Sequence, residues 1–135
     1  MLRRFRTDAP LATIRPVTSP DVILELIRAV RDTHVGVAVE DYLLQLVRRT
    51  REHDNIEVGA SPRAALALER AAQAKAAIAG RGYVIPDDVR EMASSILSHR
   101  IVPTAQADLL GKSNVDLIAD VIANTPIPVE SMETV

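Results

Sequence analysis

Apolar residues recur every three or four positions along most of the chain, which predicts amphipathic α-helices that pack by one face. The first helix follows Ser19-Pro20-Asp21, where a capping residue, a proline suited to the first helical position and an acid stand in order. It is predicted to end near Asp32. The second runs from about Val39 to Glu52. The predicted core stripe of this second helix comprises Val39, Tyr42, Leu43, Leu46 and Val47.

A third helix, over roughly residues 62–79, is rich in alanine, which is a strong helix former. Its small side chains allow neighbouring helices to approach closely, so we expect it to be the central helix of the bundle. Gly80 and Gly82 supply a stop at its end. The side chains expected on its inner side are Ala64, Leu68, Ala71, Ala72, Ile78 and Ala79.

Two further helices are predicted in the second half of the chain. One begins at Pro86, and the other begins at Ser113, with Asp116 as an acidic variant of the capping box. A short helical turn could form between Ala105 and Leu110. The predicted fold class is therefore all-α, a small bundle of four to five helices. The inward positions are Val89, Met92, Ala93, Ile96 and Leu97 in the fourth helix and Val115, Ile118, Ala119 and Ile122 in the fifth.

Prolines and composition divide the chain into three parts. Residues 1–18 are predicted to be a linker because Pro10 and Pro16 interrupt any helix, and their arginines leave a nucleic-acid-binding arm as the alternative. Residues 19–128 form the helical domain, and residues 129–135 a flexible tail. Within the domain, residues 33–38 are expected to be an extended connector.

Composition excludes several classes of function. The net charge is −2, so the charge gives little help to non-specific binding of nucleic-acid phosphates. Aromatic residues make up only 2% of the chain, too few for a platform that stacks single-stranded bases. Cysteine is absent, which excludes disulfides and is compatible with the cytoplasmic location that we expect. No apolar run reaches membrane-spanning length, and the basic N-terminus lacks an apolar signal core.

The sequence contains no self-sufficient catalytic or metal site that we can identify. Gly111-Lys112-Ser113 is similar to the end of a phosphate-binding loop, but Gln106 stands where that loop needs a glycine. Ser113 is therefore interpreted as a helix cap. His34, His53 and His99 share no metal-ligand spacing, and the chain has no Gly-x-Ser-x-Gly elbow.

Arg63 is the residue whose position most needs an explanation. Ser61 is a strong N-cap type whose hydroxyl is expected to accept from N–H groups of the first turn, and Pro62 suits the first helical position. Arg63 then adds positive charge where the helix dipole is already positive. An anion bound by the guanidinium and the helix terminus together would explain it. From the residues alone, a plain surface arginine is an equal alternative.

Three segments resemble the C-terminal lid domain of MoxR-type AAA+ ATPases. The resemblance spans about Leu11 to Pro128 and implies the helical fold of that lid. The three segments, in the order of the family, are Val58-Gly59-Ala60-Ser61-Pro62-Arg63-Ala64, Gly80-Arg81-Gly82-Tyr83-Val84-Ile85-Pro86-Asp87-Asp88-Val89 and Ser98-His99-Arg100-Ile101.

The resemblance also implies a site. Arg63 would be the sensor-2 arginine, which reaches the terminal phosphate of the nucleotide, with Ser61, Pro62 and Ala64 beside it in the nucleotide-binding motif. A core ATPase domain, normally N-terminal to the lid and joined to it by residues 1–18, would supply the phosphate loop and the Mg²⁺. ATP would be bound and hydrolysed by the parent protein, and this chain alone is expected to be inactive.

The implied partners are that core domain, the neighbouring subunits of a typically hexameric ring, and proteins that carry von Willebrand factor A domains. The family often acts as a chaperone.

Two other functions stay open. A free-standing helical adaptor could bind a protein helix in an alanine-lined groove. A small DNA-binding domain could use Arg48, Arg49 and Arg51, although arginines at a helix end also complement its dipole. Arg81 and Tyr83 are interpreted as structural: Arg81 pairs with Asp87 or Asp88, and Tyr83 is a wedge between two helices.

Overall fold

The computed structural model describes residues 14–128, and six α-helices account for most of them. This confirms the all-α bundle, including the short helix near residue 105. The predicted linker up to residue 13 and the predicted tail over residues 129–135 lie outside the described residues. The helices are α1 (Pro20–Arg31), α2 (Val37–Glu52), α3 (Pro62–Ile78), α4 (Pro86–Leu97), α5 (Ala105–Leu109) and α6 (Asn114–Ala123).

The core lies between α2, α3, α4 and α6. As predicted, α3 is central, because it packs against α1, α2 and α4. The side chains on the inner side of α3 are small, so the neighbouring helices can approach it closely. Ala64, Ala72 and Ala76 on this side are at most 1% exposed. All five predicted core positions of α2 are buried. In α4, Val89, Ala93 and Leu97 are fully buried, with Met92 and Ile96 packed at the edge.

Two of the predicted helix faces are partly wrong. On α3, Ile78 is 89% exposed, because it follows the buried Ala76 by two positions and therefore lies on the opposite side of the helix. On α6, Val115 is 54% exposed while Leu117 and Val121 are buried. The side-chain amide of Asn114 explains the rotation of α6, since it donates to the backbone carbonyls of Ser98 (2.8 Å) and Ile101 (3.3 Å).

The connectors are joined to each other by backbone hydrogen bonds. The His34 N–H donates to the Gly82 carbonyl and the Val84 N–H donates to the His34 carbonyl, both at 2.9 Å. Successive side chains of such extended backbone point in opposite directions. Val84 therefore points into the core, and Tyr83 points outward and is 54% exposed. The interpretation of Tyr83 as a wedge between helices is wrong.

A two-stranded antiparallel sheet was not expected from the sequence. β1 (Ile56–Val58) pairs with β2 (Val102–Pro103), which follows a 3₁₀ turn at Ser98–Arg100. The strands are too short for an alternating pattern to be recognised. The sheet fixes the segment that leads into α3.

Helix α1 is joined to α3 by hydrogen bonds at its C-terminal end. The buried Gln73 amide on α3 donates to the carbonyls of Arg31 (3.3 Å) and Thr33 (2.9 Å). No residue of α1 is buried, and its apolar side chains are about half exposed. Neither α1 nor any other helix among residues 14–128 is long and apolar enough to cross a membrane.

Arg81 and Asp88 form an ion pair that joins the end of α3 to the start of α4. The guanidinium donates two bonds to the carboxylate, of 2.8 Å and 2.6 Å, which confirms the structural interpretation of Arg81. Asp88 also accepts from the Ile85 N–H at 2.9 Å. Burial alone would raise the pKa of Asp88, but the hydrogen bonds from Arg81 and Ile85 outweigh it and hold the pKa below its ordinary value.

We expect Asp88→Asn to lower the free energy of unfolding by about 1–3 kcal/mol, because the amide lacks the charge and one of the two acceptor oxygens that bind the Arg81 guanidinium. Asp87→Asn is the matched control, since the Asp87 carboxylate in the same turn is 64% exposed and, among residues 14–128, pairs with Arg90 alone. Its effect should be roughly 0.5 kcal/mol or less. Denaturant titration of both variants measures the difference, and equal losses would contradict the role assigned to Asp88.

The same pair makes stability depend on pH. Because the pKa of Asp88 is lower in the folded state than in the unfolded state, its contribution is present above about pH 4 and is lost as the pH falls through the folded pKa. Melting temperatures of the wild-type and Asp88→Asn chains should therefore converge on acidification from about pH 7 to about pH 3. A constant difference would show that the charge of Asp88 does not contribute.

Candidate functional site

The first turn of α3 differs from that of the other described helices. Each of the other five has an acid in its first turn, whereas α3 has none and carries Arg63. The Arg63 side chain is exposed, and within residues 14–128 it makes no hydrogen bond or ion pair. Its positive charge is therefore available to a ligand.

Ser61 does not cap α3 in the way the sequence suggests. It occupies the N-cap position, but its hydroxyl accepts no hydrogen bond from the first turn. The Ala64 N–H donates instead to the backbone carbonyl of Ser61, at 2.8 Å. The expectation of a hydroxyl cap is wrong because the turn closes through the backbone.

The other residues of the predicted nucleotide-binding motif differ in access. Pro62, like Ser61 and Arg63, is exposed. The Ala64 side chain is 1% exposed and packs in the core, so it supports the helix and cannot itself touch a ligand. Three of the four side chains thus remain accessible at the start of α3.

Arg63 opens onto a groove between α2 and α3 that we call the basic groove. It has a volume of about 570 Å³ and is lined by three arginines, Arg48, Arg51 and Arg63, with no carboxylate among its lining residues. The sequence did not predict this arrangement, because 12 positions or more separate the arginines of α2 from Arg63. The remaining lining residues are Leu44, Val47, Pro62, Ala65 and Leu66.

Two adjacent residues of α2 hold the backbone just before this site. The Ala60 N–H donates to Thr50 Oγ1, and Arg51 Nε donates to the Ala60 carbonyl, both at 2.9 Å. Gly59 lies so close to Arg51 that an added Cβ would come within 2.7 Å of its backbone atoms. We call these contacts the Ala60 clamp.

The arginines at the end of α2 are thus only partly available to an external ligand. Arg49 donates to the Asn124 carbonyl at 2.8 Å, and Arg51 is held in the Ala60 clamp. Of the three, Arg48 alone makes no hydrogen bond or ion pair within the described part of the chain. This arrangement does not favour the three-arginine patch of the DNA-binding alternative.

A polar cavity of about 350 Å³ lies between the C-terminal ends of α2 and α6. There His53 Nε2 and an Asp120 carboxylate oxygen lie 2.8 Å apart, while His53 Nδ1 accepts from the Asn55 N–H. The pairing joins residues 67 positions apart and has no local signal in the sequence. No group of three His, Cys, Asp or Glu side chains among residues 14–128 is placed to hold a metal ion.

A profile of the AAA lid domain matches residues 48–121, a span that includes the arginines of the basic groove, the Ala60 clamp, α3 and α4. The uncharacterized protein YeaC of Bacillus subtilis is 31% identical over 121 residues, which are 90% of this chain and 38% of that protein. Chaperone MoxR1 of Mycobacterium tuberculosis is 34% identical over an alignment of 112 residues that covers 76% of this chain and 30% of that protein.

The fold is also similar to a solved structure. A crystal structure of a candidate ATPase from Cytophaga hutchinsonii superposes with a TM-score of 0.84 at 30% identity, over 95% of this chain and 42% of that chain. The chain thus spans less than half the length of each of these three proteins.

A comparison of Ser61 with Ser113, each at the N-cap position of its helix, gives a direct test of the local geometry at α3. The Ser113 hydroxyl accepts from the Asp116 N–H at 3.2 Å and its own N–H donates to the Asp116 carboxylate. Ser113→Ala should therefore cost about 1 kcal/mol of stability. Ser61→Ala should change stability by no more than about 0.5 kcal/mol. If chemical denaturation shows the larger loss for Ser61→Ala, its hydroxyl caps α3 after all.

Proposed function

Because the chain belongs to the AAA lid domain family and is similar to MoxR proteins, we propose that it is the lid of a MoxR-like AAA+ ATPase, with Arg63 as its sensor-2 arginine. The observation that carries this proposal is the exposed Arg63 guanidinium, without a partner among the described residues, at the edge of the basic groove. In this role the chain contributes to ATP binding and hydrolysis without performing either alone.

The residues of the groove fit a polyanionic ligand. Two of the groove's arginines, Arg48 and Arg63, have no partner among the described residues, and no carboxylate lines the groove. Their guanidinium groups can therefore attract phosphate oxygens and form paired, directional hydrogen bonds with them. When bound, ATP supplies the phosphoryl group that is transferred to water. Arg63 would neutralise charge on the terminal phosphate, while the phosphate loop and the ligands of Mg²⁺ would come from a core domain.

The position of Arg63 on a lid would couple nucleotide state to motion. Phosphoryl transfer is catalysed mainly by positioning and by charges around the terminal phosphate. A guanidinium carried by a separate domain enters that shell only when the two domains are closed. Hydrolysis and release would then change the angle between them.

The proposed partners follow from the same role. We propose that the lid contacts its core domain and the neighbouring subunits of a ring, typically a hexamer, in the cytoplasm. We also propose chaperone-like activity, which the relative named a chaperone supports. Proteins with von Willebrand factor A domains are the partners that we propose for it.

The adaptor function has one observation in its favour. Between α3 and α4 lies a largely apolar groove of about 680 Å³ whose lining includes Ala71, Ala74, Ile78 and Met92. A helix from another protein could bind there. An adaptor, however, gives no reason for an arginine in the first turn of α3, so the lid is the better-supported function.

In the full-length parent, Arg63→Ala should lower ATP turnover by roughly 10- to 1000-fold, as expected when one preorganised charge is removed from a transition state. Stability should be unchanged or slightly higher, because Arg63 opposes the helix dipole. Arg63→Lys should restore only part of the rate, since a point charge does not reproduce the planar guanidinium. The measurements are the ATPase rate and the melting temperature of each variant.

Arg70→Ala is the matched control, because Arg70 is also exposed on α3, about two turns further on, and does not line the basic groove. It should leave turnover unchanged. If Arg63→Ala unfolds the lid while the rate per folded molecule stays normal, Arg63 is structural and the proposed function is wrong.

A further inference from the structure

We propose that Thr50 and Arg51 are positioning residues for Arg63 and that they act through the Ala60 clamp. This inference rests on the proposed function, since it concerns the placement of the sensor-2 arginine. It assigns a role in turnover to two residues of α2 that would not need to touch the nucleotide.

The clamp holds both polar atoms of one residue. The Ala60 N–H and carbonyl are each bound at 2.9 Å, by side chains that are consecutive on α2. Ala60 and Thr50 are both 0% exposed, so water cannot replace the hydroxyl as the acceptor for this N–H. Losing the hydroxyl would leave a buried N–H without a partner.

The orientation of the Thr50 hydroxyl is itself fixed. Its hydrogen is donated to the Val47 carbonyl at 2.7 Å, one turn earlier on α2. A lone pair of the same oxygen is thereby left for the Ala60 N–H. The clamp is therefore built into the last turns of α2 before any ligand arrives.

Gly59 allows the segment before α3 to lie in direct contact with α2. A Cβ at position 59 would lie 2.5 Å from Arg51 Cγ and 2.7 Å from its backbone N and Cα. The chain can therefore pass this close to α2 only without a side chain. Together with the two hydrogen bonds, this contact fixes how far the segment before α3 stands from α2.

The clamp is close enough to Arg63 to set its position. Only Ser61 and Pro62 lie between Ala60 and Arg63, and the ring of Pro62 restricts the backbone further. The first turn closes directly after them, through the bond from the Ala64 N–H to the Ser61 carbonyl. A displacement of Ala60 would thus move the guanidinium, and misplacement of a catalytic group by about 1 Å can cost about 100-fold in rate.

Thr50→Val and Thr50→Ser test the clamp in the full-length parent. Thr50→Val keeps the shape of the side chain and removes the hydroxyl, and it should lower kcat by about 10-fold with a smaller change in KM. Thr50→Ser keeps the hydroxyl and should retain most of the rate. Loss of rate in both variants alike would overturn the proposal.

A double-mutant cycle with Arg63→Ala separates positioning from general stability. If the clamp acts through Arg63, Thr50→Val lowers kcat in the native background and has no further effect when Arg63 is already alanine. Its effect on the melting temperature is the same in both backgrounds. An equal fold-loss of kcat in both backgrounds would show that the clamp does not act through Arg63.

Arg49→Met is the matched control for Arg51→Met. Both arginines lie on the last turns of α2 and donate to a backbone carbonyl, but Arg49 holds Asn124, far from α3 in sequence. Arg51→Met should reproduce the cycle of Thr50→Val, whereas Arg49→Met should leave kcat unchanged in both backgrounds. The same pattern for Arg49→Met would overturn the proposal.

The cycle also distinguishes failure of the clamp from failure of the proposed function. If Arg63→Ala alone leaves turnover unchanged, the sensor-2 assignment fails and the clamp proposal fails with it. If Arg63→Ala lowers turnover and the clamp variants act independently of it, only the clamp proposal fails. Should Thr50→Val not fold, Arg51→Met carries the test, since its exposed side chain is not part of the core.

Discussion

Close packing of helices around α3 is the constraint on which the rest of the structure depends. With 2% aromatic residues in the chain, the core cannot be filled by large rings. It is filled instead by aliphatic side chains of α2, α4 and α6, and α2 and α4 pack directly against α3, whose inner side is mostly alanine. Dispersion attraction between such surfaces is strong only at short distances, so small shifts of one helix against another weaken it. The relative positions of the helices must therefore be fixed by other contacts at their ends.

Polar contacts at the helix ends fix the positions of the helices relative to one another. Apolar burial is not directional, but Gln73, Asn114, Thr50 and the pair Arg81–Asp88 each fix one connector against one helix. Most of these groups bond to backbone carbonyls or N–H groups that would otherwise lack partners in the loops. The directional bonds therefore determine how α1, α2 and α4 are placed around α3, and how α6 is placed against α4.

The sequence predicts the helices and most of the core because both follow from local patterns. The apolar residues of α2 and α4 repeat at helical spacing, and the capping box at Ser113 pairs two residues three positions apart. The structure contains both features. The rotation of α6 depends on Asn114 reaching residues 13 and 16 positions earlier, and no periodicity reports such a contact. The outward direction of Tyr83 likewise depends on the backbone pairing with His34.

The candidate site likewise has one part that the sequence predicts and one part that it does not. Arg63 could be selected from its unfavourable place in the first turn, a local signal. The basic groove and the Ala60 clamp could not, because they join α2 to the start of α3 through contacts that no single segment encodes. For Ser61 the local signal is present but the predicted contact is not. Its residue type is suited to capping, yet the backbone already closes the turn at this position.

Because α1 is less buried than the other long helices, the free energy of local unfolding should differ between α1 and the rest of the domain. A 12-residue helix whose apolar side chains stay about half exposed gains less from packing than the buried helices do, and helices of that length are marginal in water on their own. Local opening of α1 would therefore require much less free energy than opening of α2 or α3. The domain would behave as a rigid unit built on α3, with a first helix that can detach and reform while Arg63 stays in place.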